Sequence, residues 1–244
     1  MSRQVLGTSA LQTASMNSAV IVAAGSSRRM GPGTDKLFLE VNGLPLVAHT
    51  WRRFDASSRI DEIVLVIRSG LEQAFLEIAE RIRPVKPFRL VAGGAERQES
   101  VWNGLNAVDD RCRIVAIQDG ARACTSEAVI VSTIAKAIEM GAAVVAQRVT
   151  DTLKESDGEN RIHRTVDRTH LWAVQTPQVF RIEVIRKALQ TVREKGLLIT
   201  DDTAACELIG QPVALVESRD PNPKATAPGD LPFIASLLGS VGGA

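Results

Sequence analysis

The chain carries almost no net charge: 29 lysines and arginines stand against 28 aspartates and glutamates, a formal +1 at neutral pH. A general nucleic-acid binder needs a basic excess or stripe, so that class is set aside, and any anion site must be built locally. Long apolar runs are missing too. No stretch approaches the ~20 residues of a membrane helix, and residues 1–17 lack the apolar core of a secretory signal. Cysteine is scarce. Cys112, Cys124 and Cys206 are odd in number and include no C-x-x-C pair, which leaves no disulfide framework and no zinc ribbon. They read as small buried hydrophobes in a reducing cytoplasm. His49, His163 and His170 form no visible triad; only His170 is a candidate for the border of a site. Trp51, Trp102 and Trp172 are not interleaved with basic residues, so they read as core or interface rather than as base-stacking platforms.

What is present is the composition of an ordinary globular protein, 45% hydrophobic and 23% charged over 244 residues, enough for one large domain or two small ones. Short apolar runs recur: AVIVAA (19–24), EIVLVI (62–67), RIVAI (113–117) and AAVVA (142–146). They barely alternate, as strands buried on both faces of a parallel sheet do. Between them lie segments with helical spacing at 44–55, 71–82, 97–108 and 126–140, the last followed by Gly141 as a stop. Strands alternating with helices predict a Rossmann-like α/β three-layer sandwich with a mostly parallel central sheet and right-handed crossovers.

Two segments break that rhythm. Residues 148–168 are polar, with Asp157-Gly158 between the β-like arms TDTLKE and NRIHRTV. They predict a hairpin that projects toward solvent or a partner chain. Residues 218–230 hold prolines that forbid a helix, and Asp230 is placed to cap a final helix over 231–238 before Gly239. Residues 1–17 are small and polar and read as a loose extension, with Met16 a candidate start just ahead of the first strand. A short organelle transit peptide finds only Arg3 in its support.

Three loops carry chemistry. The first, AAGSSRRMG after the strand at 19–24, pairs a bare backbone with Arg28 and Arg29, and Lys36 follows seven residues on. It matches neither G-x-G-x-x-G nor a Walker A loop. Fixed cations on a glycine loop suit the charge that develops in phosphoryl transfer; a solvated basic loop is the plain alternative. The second, GGAERQES (93–100), closes the strand at 88–92 with two glycines and a helix start, and places Arg97 and Ser100 one turn apart. A simple capped turn explains it equally well. The third, QDGARAC (118–124), sets Asp119 at a strand end with Arg122 three residues on. A lone carboxylate there suits Mg²⁺, which takes one or two carboxylates plus substrate phosphates; the alternative is a turn cap paired with Arg122. In open α/β sheets such loops meet in one crevice at the carboxyl ends of the strands.

Taken together, AVIVAAGSSRRMGPGTDK, GGAERQESVWNGL, QDGARAC, TDTLKE, HRTVDRTHLWAVQTPQVF, ITDDTAACELIG and NPKATAPGDL, in this order over residues 18–238, resemble the 2-C-methyl-D-erythritol 4-phosphate cytidylyltransferase family. The resemblance implies an enzyme of the non-mevalonate isoprenoid pathway that moves CMP from CTP to methylerythritol phosphate, with a nucleotidyltransferase domain over 18–244. It implies that Arg29 and Lys36 are transition-state cations. Ala23, Ala24, Gly25, Gly94, Ala95 and Ser100 become CTP-binding positions. Asp119 and Arg122 sit at the metal–substrate junction, with Mg²⁺ on Asp119. Thr152, Arg168, Thr176, Thr200 and Lys224 surround the sugar phosphate, Arg168 and Lys224 acting in catalysis. It also implies a homodimer in which Thr152 and Arg168 come from the partner's arm.

The chain departs from the family at several points. Asp35 precedes Lys36 where the family has proline, and Gln118, Gly120 and Ala123 differ within a His-Asp-Ala-Ala-Arg-Pro pattern. Ala95 stands where some members carry aspartate. None removes a charged group that the chemistry needs. The chemistry itself requires no general base, because a phosphate monoester with a second pKa of about 6 is largely dianionic near neutrality. The nearest rival is the same transfer to ribitol 5-phosphate. A nucleotide-binding module without turnover is opposed by Arg29, Lys36, Asp119 and Lys224 occurring together, and a dinucleotide-dependent oxidoreductase is more distant still.

Overall fold

The structure is a computed structural model and describes residues 15–25 and 35–240. Its centre is a seven-stranded sheet. In chain order its strands are β1 (Met16–Ala23), β4 (Glu62–Ile67), β5 (Phe88–Ala92), β6 (Cys112–Asp119), β7 (Ala142–Arg148), β10 (Trp172–Arg181) and β11 (Ala214–Glu217), while β2 (Glu40–Val41) and β3 (Leu44–Pro45) form a separate short pair. Their order across the sheet is β11-β7-β10-β6-β1-β4-β5. The pairs β1–β4, β1–β6, β4–β5 and β7–β11 are parallel, and β10 alone runs antiparallel, wedged between β6 and β7. The mostly parallel sandwich expected from the strand–helix rhythm is therefore present. β4 occupies 62–67, the range read from its apolar run, and β5 occupies 88–92, the strand expected ahead of the second glycine loop. The first strand begins earlier than its apolar run, at Met16, whose N–H bonds to Arg111 O at 3.1 Å. Residues 16 and 17 thus belong to the sheet rather than to the extension expected over 1–17. Residues 1–14 lie outside the described part, as do Arg28 and Arg29.

The alternation of side chains along β1 sorts the core into two layers. Ala19, Ile21 and Ala23 face one cluster and Val20 the other, all within 1% of full burial. The first layer takes α1 (Leu46–Ala56), α2 (Glu72–Ile82), α4 (Glu127–Met140) and α7 (Leu231–Ser240), through Trp51, Phe75, Ile130 and Ile234. The second takes α3 (Arg97–Ala107), α5 (Ile182–Glu194) and α6 (Asp202–Leu208), through Leu105, Ile185, Leu189 and Cys206. Burying each such side chain contributes roughly 1.5–3 kcal/mol. α4 ends at Gly141 in the left-handed region, φ 88°, as its sequence indicated. α5 was legible in principle, since Ile182, Ile185, Leu189 and Val192 are its buried stripe.

Two expectations need correction. Asp230 does not cap α7. Its carboxylate reaches back to the N–H groups of Thr226 and Ala227, at 2.7 and 2.9 Å, and so closes the short turn Pro228–Asp230. α7 in turn runs through Gly239 to Ser240. The polar arm does form a hairpin, of β8 (Lys154–Ser156) and β9 (Ile162–Thr165). Its turn is longer than an Asp-Gly pair. Asp157 Oδ1 accepts from Glu159 N and Arg161 N, and Gly158 and Asn160 both take positive φ.

Close approach of helix to sheet explains Gly104. A Cβ there would sit 2.5 Å from Val20 Cγ1 and 2.8 Å from Val66 Cγ2. Gly104→Val should therefore destabilise the fold by about 2–3 kcal/mol through overpacking, read as a lower midpoint in urea denaturation with an unchanged slope.

Candidate active site

The carboxyl ends of β1, β4, β5 and β6 lie side by side, so the loops that leave them share one edge. Small residues let those loops touch. A Cβ on Gly93 would lie 2.4 Å from Ala24 Cβ, and one on Gly94 2.3 Å from Glu99 Cβ. Any larger residue would push the loop after β5 away from Ala24 and Gly25. Ser100 Oγ braces the same loop, accepting from Gly94 N at 3.1 Å and donating to Glu96 O at 3.2 Å. The Ala95 N–H is engaged by Glu99 Oε2 at 2.8 Å. Ala23, Ala24 and Gly25 thus leave the sheet beside the loop of Gly94, Ala95 and Ser100, at the edge where open α/β sheets form their crevice.

Asp119, the last residue of β6, is the electrostatic centre of that crevice. Its Oδ1 accepts from Arg97 Nε at 3.3 Å, its Oδ2 lies 2.7 Å from Lys224 Nζ, and Arg122 Nε stands 3.9 Å away. Burial alone would raise its pKa; Arg97, Lys224 and Arg122 more than offset that and hold the carboxyl below its ordinary value. Burial lowers the Arg122 pKa. Below Asp119, the buried Thr176 accepts from the Asp119 N–H at 3.1 Å, and its carbonyl accepts from Asn222 Nδ2 at 3.0 Å. The Thr176–Pro177 peptide is cis. Asn222 O in turn accepts from Arg122 Nη1 at 2.6 Å, and Ala225 N donates to Ala121 O at 3.0 Å. These bonds dock the proline-rich loop on the end of β6 and so deliver Lys224 to Asp119.

The residues that depart from the family pattern fit this packing. Gln118 is fully buried, and its amide donates to Arg122 O and Thr125 Oγ1 at 3.2 and 3.1 Å. At Gly120 a Cβ would meet Val22 O at 3.1 Å, and its carbonyl accepts from Thr50 Oγ1 at 2.8 Å. Ala123 is fully buried.

The site also contains Asp202 and Gln178, which the motif reading did not single out and which join it through Arg97. Arg97 Nη1 bonds to Asp202 Oδ2 at 2.8 Å while its Nε serves Asp119. Asp202 is wholly buried, which raises its pKa despite the arginine. Gln178 accepts from Asp202 N at 3.0 Å and donates to Asp201 Oδ2 at 2.9 Å. The adjacent acids in ITDDTAACELIG were the available signal: a charged pair at a helix start facing a buried layer. Lys36 occupies a one-turn 3₁₀ segment, Lys36–Phe38. Asp230 is held below its ordinary pKa mainly by the N–H groups of Thr226 and Ala227, with a smaller contribution from Lys36. Lys36 is therefore within electrostatic reach of Asp230, in the proline-rich segment that also carries Lys224. Arg29 lies outside the described residues.

Three positions make no hydrogen bond or ion pair to Asp119 among the described residues. Thr200 is exposed at the bend before α6. Thr152 is exposed on the arm, and Arg168, also exposed, donates to Thr150 O at the arm's base.

A parallel sandwich whose strand ends gather glycine-lined loops and three cations around one ionised carboxylate suits a phosphorylated ligand. A family model described as 2-C-methyl-D-erythritol 4-phosphate cytidylyltransferase matches residues 17–239. Proteins bearing that same description are similar along nearly their whole length. One from Caldanaerobacter subterraneus is 44% identical over 91% of this chain and 97% of its own, and one from Pelotomaculum thermopropionicum is 42% identical over 90% and 93%. Among solved structures, 4-diphosphocytidyl-2C-methyl-D-erythritol synthase from Anaerococcus prevotii superposes with a TM-score of 0.82 at 29% identity, covering 92% of this chain and 96% of that one. The cytidylyltransferase from Thermus thermophilus gives 0.75 at 32% identity, covering 92% and 98%. This chain belongs to the 2-C-methyl-D-erythritol 4-phosphate cytidylyltransferase family.

Removing one side of the buried Arg97–Asp202 pair leaves a charge without a partner. Arg97→Ala should cost about 3 kcal/mol in chemical denaturation. Arg97→Ala combined with Asp202→Asn should recover part of that loss, because no buried carboxylate is then left unpaired.

Proposed function

We propose that this crevice carries out cytidylyl transfer in the following way. The chain transfers CMP from CTP to 2-C-methyl-D-erythritol 4-phosphate, releasing pyrophosphate and forming CDP-methylerythritol, a step of isoprenoid biosynthesis. CTP lies against Ala23, Ala24, Gly25, Gly94, Ala95 and Ser100, where backbone groups can approach its phosphates and base. A phosphate oxygen of the acceptor attacks the α-phosphorus in line. One P–O bond forms as the bond from the α-phosphorus to the bridging oxygen breaks, and pyrophosphate departs with the electron pair. Arg29 and Lys36 stabilise the charge that develops on the transferring group, and Lys224 and Arg122 orient the phosphates from the other side. Thr176 and Thr200 line the acceptor end. The acceptor brings its own negative charge, so catalysis is positioning and charge stabilisation. The observation that supports this reading most directly is the convergence of Arg97, Arg122 and Lys224 on Asp119.

A divalent cation, Mg²⁺, is part of the proposal. Among the described residues no group of three or more acidic, histidine or cysteine side chains could hold a metal alone. Asp119 suits a different kind of site. A carboxylate offers about four lone-pair positions, and Arg97 and Lys224 take one on each oxygen. A contact to one hard cation fits, with phosphates and water completing its shell. Bound there, Mg²⁺ would neutralise charge on the triphosphate. A cytoplasmic setting is also proposed. It is supported by three buried free thiols and by the lack, among the described residues, of any helix long and apolar enough to cross a membrane.

Ribitol 5-phosphate is the acceptor to test against, and the relatives' descriptions favour methylerythritol phosphate. Incubation with CTP, Mg²⁺ and each sugar phosphate should release pyrophosphate at least ten-fold faster with methylerythritol phosphate, and a chelator should abolish release. Equal or greater turnover of ribitol 5-phosphate would reverse the acceptor assignment.

A homodimer joined through the arm completes the reading. The hairpin is exposed throughout, with Ile162 69% accessible, and a two-stranded hairpin is marginal on its own. A two-fold partner offering the same arm would cover it and bring Thr152 and Arg168 to the neighbour's acceptor phosphate, which an arginine fork suits. Arg168→Ala and Lys36→Ala proteins, each inactive alone, should regain activity when mixed under subunit exchange. The heterodimer then has one site with both lesions and one with neither. Confirmed exchange without activity would return the arm to its own subunit.

A further inference from the structure

Where the family has proline before the lysine, this chain has Asp35, and the structure gives that aspartate two engagements. Its Oδ1 accepts from Leu37 N at 3.1 Å, capping the 3₁₀ turn that carries Lys36. Its Oδ2 forms an ion pair with Arg68. The Asp35 side chain is 14% exposed and that of Arg68 36%. Arg68 directly follows Ile67, the last residue of β4, and Ile67 is in register with Ala23, the last residue of β1. The backbone that leaves the sheet after β1 therefore returns at Asp35 beside the end of the neighbouring strand, and the Arg68–Asp35 pair fastens it there. The turn is closed further by Phe38 N to Asp35 O at 3.0 Å and Leu39 N to Lys36 O at 3.3 Å.

A lysine that stabilises a transition state must be held in place before the reaction, since a misplacement of about 1 Å can cost on the order of 10²-fold in rate. Proline would stiffen the position before the lysine by fixing φ near −65°. Asp35 sits at φ −98° and stiffens it by other means, a cap on the following turn and an ion pair to a strand end. We propose that Asp35 and Arg68 are positioning residues for Lys36, a clasp that does in this chain what proline does elsewhere in the family. The inference rests on the role given to Lys36 above.

Steady-state kinetics on Asp35→Asn, Arg68→Ala, Arg68→Lys, the Asp35→Asn/Arg68→Ala double variant and Lys36→Ala test this, each with a thermal melt. The clasp acts on a group that works in the transition state. Asp35→Asn and Arg68→Ala should therefore each lower kcat about 10-fold, with the KM for CTP and the melting temperature nearly unchanged. A pair only partly shielded from water contributes little to stability. The double variant should be no worse than either single one, and Arg68→Lys, which keeps the charge, should recover most of kcat. Lys36→Ala separates the two readings. If it turns over normally, the role of Lys36 is wrong. If it is inactive while Asp35→Asn or Arg68→Ala keeps wild-type kcat, the clasp is wrong. Losses that multiply in the double variant, an Arg68→Lys as slow as Arg68→Ala, or a fall in kcat matched by a lower melting temperature would each also overturn it.

Discussion

One ionised carboxylate organises the crevice. Asp119 ends the strand beside β1 and is nearly buried, a position in which an unpaired charge would be expelled or neutralised. It remains charged because Arg97 comes from α3, Arg122 from the loop just beyond it and Lys224 from the proline-rich segment near the end of the chain. Three separate pieces of backbone are thereby tied to one point. In the proposed reaction the same cations, turned toward a triphosphate, would form the field that cytidylyl transfer requires.

The surroundings serve that arrangement. Arg97 is not held by Asp119 alone. Asp202, fully buried at the start of α6, takes its other nitrogen, and Gln178 fixes the Asp202 backbone. This places a second carboxylate against the arginine, whose Nε is left to Asp119. Loops approach each other closely because Gly93 and Gly94 have no Cβ to collide with Ala24 and Glu99. The departures Gln118, Gly120 and Ala123 follow the same logic. Each is buried or tightly apposed, and their hydrogen bonds run to backbone of the Asp119 turn and to its neighbours Thr50 and Thr125, so they change how the turn is packed without changing its charge.

The fold was legible where burial and periodicity agreed. β4 is an apolar run between the parallel neighbours β1 and β5, and α4 is an apolar-faced segment stopped by a glycine. Legibility failed where local and tertiary demands differ. Asp230 has the composition of a cap for the helix after it, yet the amides available to it lie behind it, in the turn at 226–227. The arm's Asp157-Gly158 suggests a tight turn, but Asp157 binds amides as far as Arg161 and widens the loop.

From its motifs and its strand–helix rhythm, the chain declares its family, its α/β class and the glycine loops, and it marks Lys36, Asp119, Arg122 and Lys224 as candidate site residues. Those are properties of local pattern and residue type. Only the tertiary structure decides that Asp119 is shared among Arg97, Arg122 and Lys224, that Asp202 stands beneath Arg97, and that Asp35 fastens the turn of Lys36 to Arg68. Charges far apart in the chain become partners when the sheet order sets their strand ends side by side, and burial makes the pairings of Asp119 and Asp202 obligatory. No local pattern carries that information, because the dielectric environment of a carboxylate exists only once the chain has folded around it.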